Sequence, residues 1–465
     1  MRKLIFGCFA FLLIIQVASA KDDPRLLKAS RKDRAGWIYV HLEGSPASIG
    51  YQHGYLLAKE IDTNIHAVAL WLRHQTPYGW AFYRNAAKNF LWPQVDREYR
   101  DEINGIVEGM HARHLAYDSL DITAYNALEE LAFYYVPLLM NQQKPGSGDN
   151  KAPGNCSAFI ANGSYTRDGK IVMGHNNWTE YLWGQHWNVI ADIVPQKGNH
   201  FMMDCMPGFI HSGDDFVINN KGILITETTI TQFKGFDSTA IPEFVRARKA
   251  CQYGNSIDDV IRIFTKGNNG GYANDWLIGD TKTNEVAKLE LGLRIYRVWR
   301  SMDTAMIGSN FAIDPELIAK ETTFNPNDKT TSPNARRVRM EELVVVKWKG
   351  KLDAEAGKQI EADHHDPLQD QDANNRCVIC GHIDEDPKGC VEWDYPPYYP
   401  MGAVQGKVTT TDLANKMQFW AHMGHPCGQD FVGHTFYKLH PEFQWMSEYL
   451  VDMKAYPWTL FEAKK

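Results

Sequence analysis

Beyond its first twenty residues the sequence has no apolar run approaching the ~20 residues a helix needs to span a bilayer, which argues against a second, helical membrane span. Basic residues are not in excess. The 49 Lys and Arg stand against 56 Asp and Glu, a formal charge of −7, so neither a broad nucleic-acid footprint nor a polybasic membrane surface is indicated. A lipid would be met only as a substrate held in a site. No internal repeat is present, and cysteine is sparse, at 8 in 465 residues. What the chain does have is 44% hydrophobic and 12% aromatic residues, enough for a large buried core. Length by itself leaves one, two or three domains open.

Arg2 and Lys3 precede an almost wholly apolar stretch over residues 4–17, and Ala18-Ser19-Ala20 closes it with small residues at alternate positions. This pattern predicts a signal peptide over residues 1–20 and a product without a transmembrane anchor. That product is secreted or otherwise extracytoplasmic, periplasmic or lysosome-like. Seven cysteines follow the signal: Cys156, Cys205, Cys251, Cys377, Cys380, Cys390 and Cys427. An odd number in a compartment that favours disulfides leaves one thiol over. The run Cys377-Val378-Ile379-Cys380-Gly381-His382, with Cys390 and Cys427, offers thiolates at zinc-ligand spacing. Oxidation competes with metal in an exported protein, so a Cys377–Cys380 disulfide is the reading taken, with no metal and no cofactor. If six thiols pair, Cys156 is the one left.

Residues 37–140 read as mainly helical, without a β-hairpin signature, and end in a polar segment rich in glycine, proline and lysine over residues 141–154. Asn155-Cys156 follows directly. The pattern then turns to strands at 157–161 and 171–175 around an Arg167-Asp168-Gly169-Lys170 turn. Antiparallel counting sets Cys156 opposite residues 175–181, beside His175, Asn176, Asn177 and Trp178. Further strands are read at 216–218, 222–229 and 276–279, and helices at 242–250, 256–265 and 334–348. Three sequons, at Asn155, Asn162 and Asn177, fall in or beside the hairpin.

A cysteine at a strand start after an exposed linker is either a structural thiol or a nucleophile created by cutting the bond before it. In the second case its own α-amine, with a pKa of ~7.7–8.0, can take the proton of a thiol of ~8.5.

The blocks Asn155-Cys156-Ser157-Ala158-Phe159-Ile160 and Gly174-His175-Asn176-Asn177-Trp178-Thr179-Glu180-Tyr181 resemble the phospholipase B-like proteins, a branch of the N-terminal nucleophile hydrolases. Residues 207–216, 227–230, 274–280 and 402–411 extend the likeness. Gly44-Ser45-Pro46 and Gly50-Tyr51-Gln52-His53-Gly54 are more similar to the penicillin acyltransferase family of autoproteolytic cysteine enzymes.

The resemblance implies an α+β fold, a four-layer αββα sandwich, with a mainly helical N-terminal segment over residues 21–155 and a catalytic segment over 156–465. It implies self-cleavage between Asn155 and Cys156, with the two chains remaining associated. Cys156 is then the nucleophile and Asn274 the oxyanion donor; His175 and Trp178 orient the cysteine and shape the site, with Thr228 and Asn176 also lining the pocket. One arginine among Arg336, Arg337 and Arg339 is expected at the site. The substrate is an acylated small molecule or lipid cleaved at an ester or amide. An N-acyl amidase or acyltransferase is the second reading, and a non-catalytic lipid- or glycan-binding protein is the reading from another class.

Overall fold

The computed structural model describes residues 23–143, 156–213 and 216–464. The signal segment over residues 1–20 and the proposed cleavage residue Asn155 lie outside them. Helices and mainly antiparallel strands give the α+β class expected from the sequence. Among the described residues no helix is long and apolar enough to cross a membrane.

Two large sheets form among these residues. The nine-stranded sheet runs, edge to edge, through Ser30–Arg34, Trp37–Gly44, Val189–Pro195, Phe201–Cys205, Phe216–Asn219, Ile223–Thr229, Asn274–Asp280, Glu285–Leu291 and Tyr296–Ser301. The six-stranded sheet runs through Ala305–Gly308, Ser157–Ala161, Val172–Glu180, Met401–Thr410, Gln418–Met423 and Thr459–Glu462.

The front of the chain departs from the helical expectation. Ser30–Arg34 and Trp37–Gly44 are an antiparallel hairpin joined by Ala35-Gly36, at φ 49° and 78°. Two positive φ values in a two-residue loop match the right-handed twist of the strands they join. Trp37–Gly44 then pairs in parallel with Val189–Pro195. The helices begin at Pro46–Leu56, where the Ser45 hydroxyl accepts from Ser48 N at 3.2 Å.

That first helix crosses Arg97–His111 at unusually close range, because glycines face each other. A Cβ on Gly50 would lie 1.9 Å from the Glu102 carbonyl oxygen, and one on Gly54 2.0 Å from that of Ile106. In return, a Cβ on Gly105 would lie 2.4 Å from the Ala47 carbonyl oxygen, and one on Gly109 2.4 Å from that of Tyr51. The Gly50-Tyr51-Gln52-His53-Gly54 motif therefore serves helix packing. His53 within it accepts a hydrogen bond from Gly208 N at 2.8 Å.

The strands alternate sides, and each side has its own core. Ala158, Ile160 and Met173 of the six-stranded sheet meet Ile190, Met202, Leu224 and Leu277 of the nine-stranded sheet. The opposite face of the larger sheet (Val40, Leu42, Ala191, Met203) packs on helical Ile61, Val68, Ile103 and Ile106. The opposite face of the smaller one (Phe159, Ala161, Val172) packs on Met340, Leu343, Ala356 and Ile360. A fully buried ion pair, Lys407 Nζ to Asp204 Oδ2 at 2.9 Å, joins the two sheets.

Candidate active site

Cys156 stands at the head of Ser157–Ala161, which pairs with Val172–Glu180 in the register Ser157 to Asn176 and Ala158 to His175. The hairpin thus brings Cys156 beside His175, Asn176 and Asn177, as the counting from the turn predicted. Cys156 is 1% exposed and has φ 86°, a left-handed backbone conformation that non-glycine residues rarely adopt and that costs roughly 1–3 kcal/mol.

Cys156 Sγ, a ring nitrogen of His175 and a carboxylate oxygen of Glu227 lie within 4.8 Å of one another, and all three residues are buried. This spacing suits proton exchange among the three and would also suit three donors to a metal. His175 titrates well below the usual histidine range because burial removes water from the cation and Lys407, its cross-strand partner, adds like charge. The imidazole is therefore neutral at physiological pH. A hydrogen bond to the main chain of Glu227 works weakly against that shift.

Glu227 was missed from sequence. It lies near the end of Ile223–Thr229, a strand buried at every position, so no polar alternation marked it. Asn274 stands beside it on the adjoining strand. With its amide nitrogen turned toward acceptors, Asn274 donates to Glu227 Oε2 at 2.7 Å and to Ala273 O at 3.0 Å, so both amide hydrogens are committed. Thr228 presses on the neighbouring strand: a Cβ on Gly308 would lie 2.3 Å from Thr228 Oγ1, and Gly308 pairs with Ala158.

Of the three candidate arginines, Arg336 reaches the cysteine. It is fully buried on the helix Ser332–Met340, and Nη1 donates to Cys156 O at 2.7 Å and Ser157 Oγ at 2.9 Å. Nη2 donates to Asn310 Oδ1 at 2.6 Å and Nε to Ser332 Oγ at 3.0 Å. Burial among neutral oxygens lowers its pKa to about 10. Arg337 instead pairs with Glu341, and Arg339 with Asp363 and Glu342.

Trp178 stacks under the Arg336 guanidinium at 4.2 Å and donates from Nε1 to Ile379 O at 3.0 Å. Asn176 Nδ2 donates to Glu361 O at 2.7 Å and to Ile379 O at 3.3 Å. Both side chains are buried on the strand paired with that of Cys156.

The cysteine pairing read from the sequence is not found. All seven described cysteines are free thiols, Cys377 and Cys380 among them. Cys380 lies instead in a cluster with His364, His382 and Cys427, one ligand atom of each within 4.8 Å of the others. The sequons Asn162 and Asn177 are buried, which denies them to glycosylation.

The chain is 25% identical over 299 residues to an uncharacterized protein of Archaeoglobus fulgidus, covering 59% of this chain and 48% of that one. It is 23% identical over 311 residues to phospholipase B-like protein C of Dictyostelium discoideum, covering 57% and 54%. To putative phospholipase B-like 2 of Caenorhabditis elegans it is 24% identical over 216 residues, covering 42% and 35%. The matches thus span about half or less of the length of these relatives. The family model described as Phospholipase B matches residues 50–307, which include Cys156, His175, Glu227 and Asn274. As that match covers more than half of the chain, the protein belongs to the phospholipase B family.

Proposed function

We propose that the chain is a self-processing acyl hydrolase in which Cys156, freed by a cut after Asn155, is an N-terminal nucleophile. The observation that carries this reading is the buried Cys156 at φ 86°, with His175 and Glu227 beside its thiol and Arg336 on its carbonyl. Two facing sheets with helices outside each suit a four-layer αββα sandwich, divided at the cut into residues 21–155 and 156–465. The two chains remain associated because Trp37–Gly44 lies within the larger sheet. Residues 1–20 act as the export signal and leave a secreted or otherwise extracytoplasmic protein.

In processing, the Cys156 thiol adds to the Asn155 carbonyl carbon. The C–N bond breaks as the nitrogen takes up a proton, and water hydrolyses the resulting thioester. Asn155 ends as a carboxylate and Cys156 gains a free α-amine. In turnover the α-amine takes the thiol proton and the thiolate adds to the acyl carbonyl. The leaving alcohol or amine departs with that proton, and water then releases the acid. Asn274 turns one amide hydrogen from Ala273 O to the oxyanion, while Glu227 keeps the other. Neutral His175 orients the sulfur.

The family name favours an acylated lipid ester as substrate; an N-acyl amide, with amidase or acyltransferase chemistry, is the second reading. The test combines denaturing gels with N-terminal sequencing, then assays phospholipids against N-acyl amides. A fragment beginning at Cys156 that is absent from Cys156→Ala, with acyl release only by the cut form, supports the proposal. Wild-type chain that stays whole, or Cys156→Ala that turns over normally, overturns it, and binding without turnover would favour the non-catalytic reading.

A further inference from the structure

We propose that His364, Cys380, His382 and Cys427 bind one zinc ion that ties together three loops behind the strand paired with the Cys156 strand. One ligand atom from each residue lies within 4.8 Å of the others. His364 Nε2 and His382 Nε2 are 3.2 Å apart, and Cys427 Sγ approaches the same His382 Nε2 at 3.7 Å. A tetrahedral zinc with bonds of ~2.0–2.1 Å to nitrogen and ~2.3 Å to sulfur sets nitrogen–nitrogen edges of about 3.3 Å and nitrogen–sulfur edges of about 3.5 Å. The observed separations are close to both.

A hydrogen bond accounts for this arrangement less well. Only one of two Nε2 atoms could carry the shared proton, and the sulfur contacts one of those same atoms. The sequence separates these residues too widely for a short motif: His364 follows the helix Ala354–Glu361, Cys380 and His382 precede Met401–Thr410, and Cys427 follows Gln418–Met423. The fold alone assembles them. Cys380 and His382 are buried, while His364 and Cys427 are half-buried. Gln429 N–H donates to Cys427 Sγ at 3.4 Å, a bond that favours a thiolate ligand.

Two thiolates and two imidazoles in a tetrahedron suit zinc, and four protein donors leave no position for a substrate, so the ion is structural. Binding expels the two thiol protons. Its effect reaches the neighbouring strand through Ile379, the residue before Cys380, whose carbonyl accepts from both Trp178 and Asn176. The ion thus fixes the loop that holds these two side chains.

Elemental analysis of the full chain, incubated with zinc chloride and desalted, should find about one zinc per chain. X-ray absorption at the zinc edge should show two sulfur and two nitrogen ligands. Removal by chelation should lower the thermal midpoint, and zinc should restore it. Cys427→Ser and His364→Ala should lose the metal, while Cys377→Ser keeps it. The proposal is overturned if folded wild-type protein takes up less than about a tenth of an equivalent. A zinc edge without sulfur ligands overturns it too, as does peptide mapping that finds Cys380 and Cys427 joined in a disulfide. The wild-type measurements decide the matter where a variant fails to fold.

Discussion

Arg336 holds the carbonyl oxygen of Cys156 at 2.7 Å, while its remaining hydrogen bonds go to Ser157, Asn310 and Ser332, all neutral oxygens. A buried guanidinium so placed fixes the backbone of the residue at the proposed cut.

Arg336→Met removes the clamp and leaves four acceptors, the Cys156 carbonyl among them, without their donor. Hydrogen bonds from a charged group contribute about 1.5–3 kcal/mol, so fragment formation should slow roughly 10- to 100-fold. Arg336→Lys should recover only part of that rate, since an ammonium lacks the planar fork. Timed gel samples of purified precursor give the measurement. Unchanged processing in both variants would remove Arg336 from the mechanism.

Glu227→Gln exchanges the carboxylate that accepts from Asn274 for an amide, which disturbs the donor proposed for the oxyanion. Turnover by processed enzyme should fall about 10²-fold, with KM little changed. If kcat is unaltered, Glu227 is a packing residue.

Gly54→Ala places a methyl against the Ile106 carbonyl, and two packed helix backbones must part to admit it. Stability should fall by about 3 kcal/mol, read from denaturant midpoints. A substrate-binding role for the Gly50–Gly54 segment predicts the opposite: normal stability and impaired turnover.

His53 is buried, accepts from Gly208 N and is lowered to about 4 by burial, with Arg248 adding like charge. Because the folded value lies below the unfolded value of ~6.5, the unfolded chain binds the extra proton between them. Stability from this group is therefore complete above that window and is lost as pH falls through it. Wild type should lose up to about 3 kcal/mol more than His53→Gln between neutral pH and pH ~4. Parallel pH curves for the two proteins would show that His53 does not titrate this way.

How much of this was legible follows from local pattern. The Asp168-Gly169 turn and two apolar runs were enough to set Cys156 beside His175, because hairpin register follows from turn position. Arg336 could not be told from Arg337 and Arg339, since three cations on one helix differ only by which side the core lies on. The local signal for Trp37–Gly44 is only the Ala35-Gly36 loop to a mostly polar, exposed partner, Ser30–Arg34, while its buried partner, Val189–Pro195, lies some 150 residues away in the chain. Cys380, His382 and Cys427 stand out in the sequence as potential zinc ligands, but Glu227 and the joining of His364 to that set are products of long-range assembly, which local periodicity does not encode.

In the proposed two-chain form, Trp37–Gly44 couples folding to association. A sheet that takes its first two strands from one fragment and the other seven from the second makes native structure depend on mass action. Cut protein should melt at a temperature that rises with its own concentration, as a heterodimer does, whereas the intact precursor should not. Processing would then divide the instructions for folding between two molecules, so that the enzyme, once unfolded and diluted, is slow to find itself again.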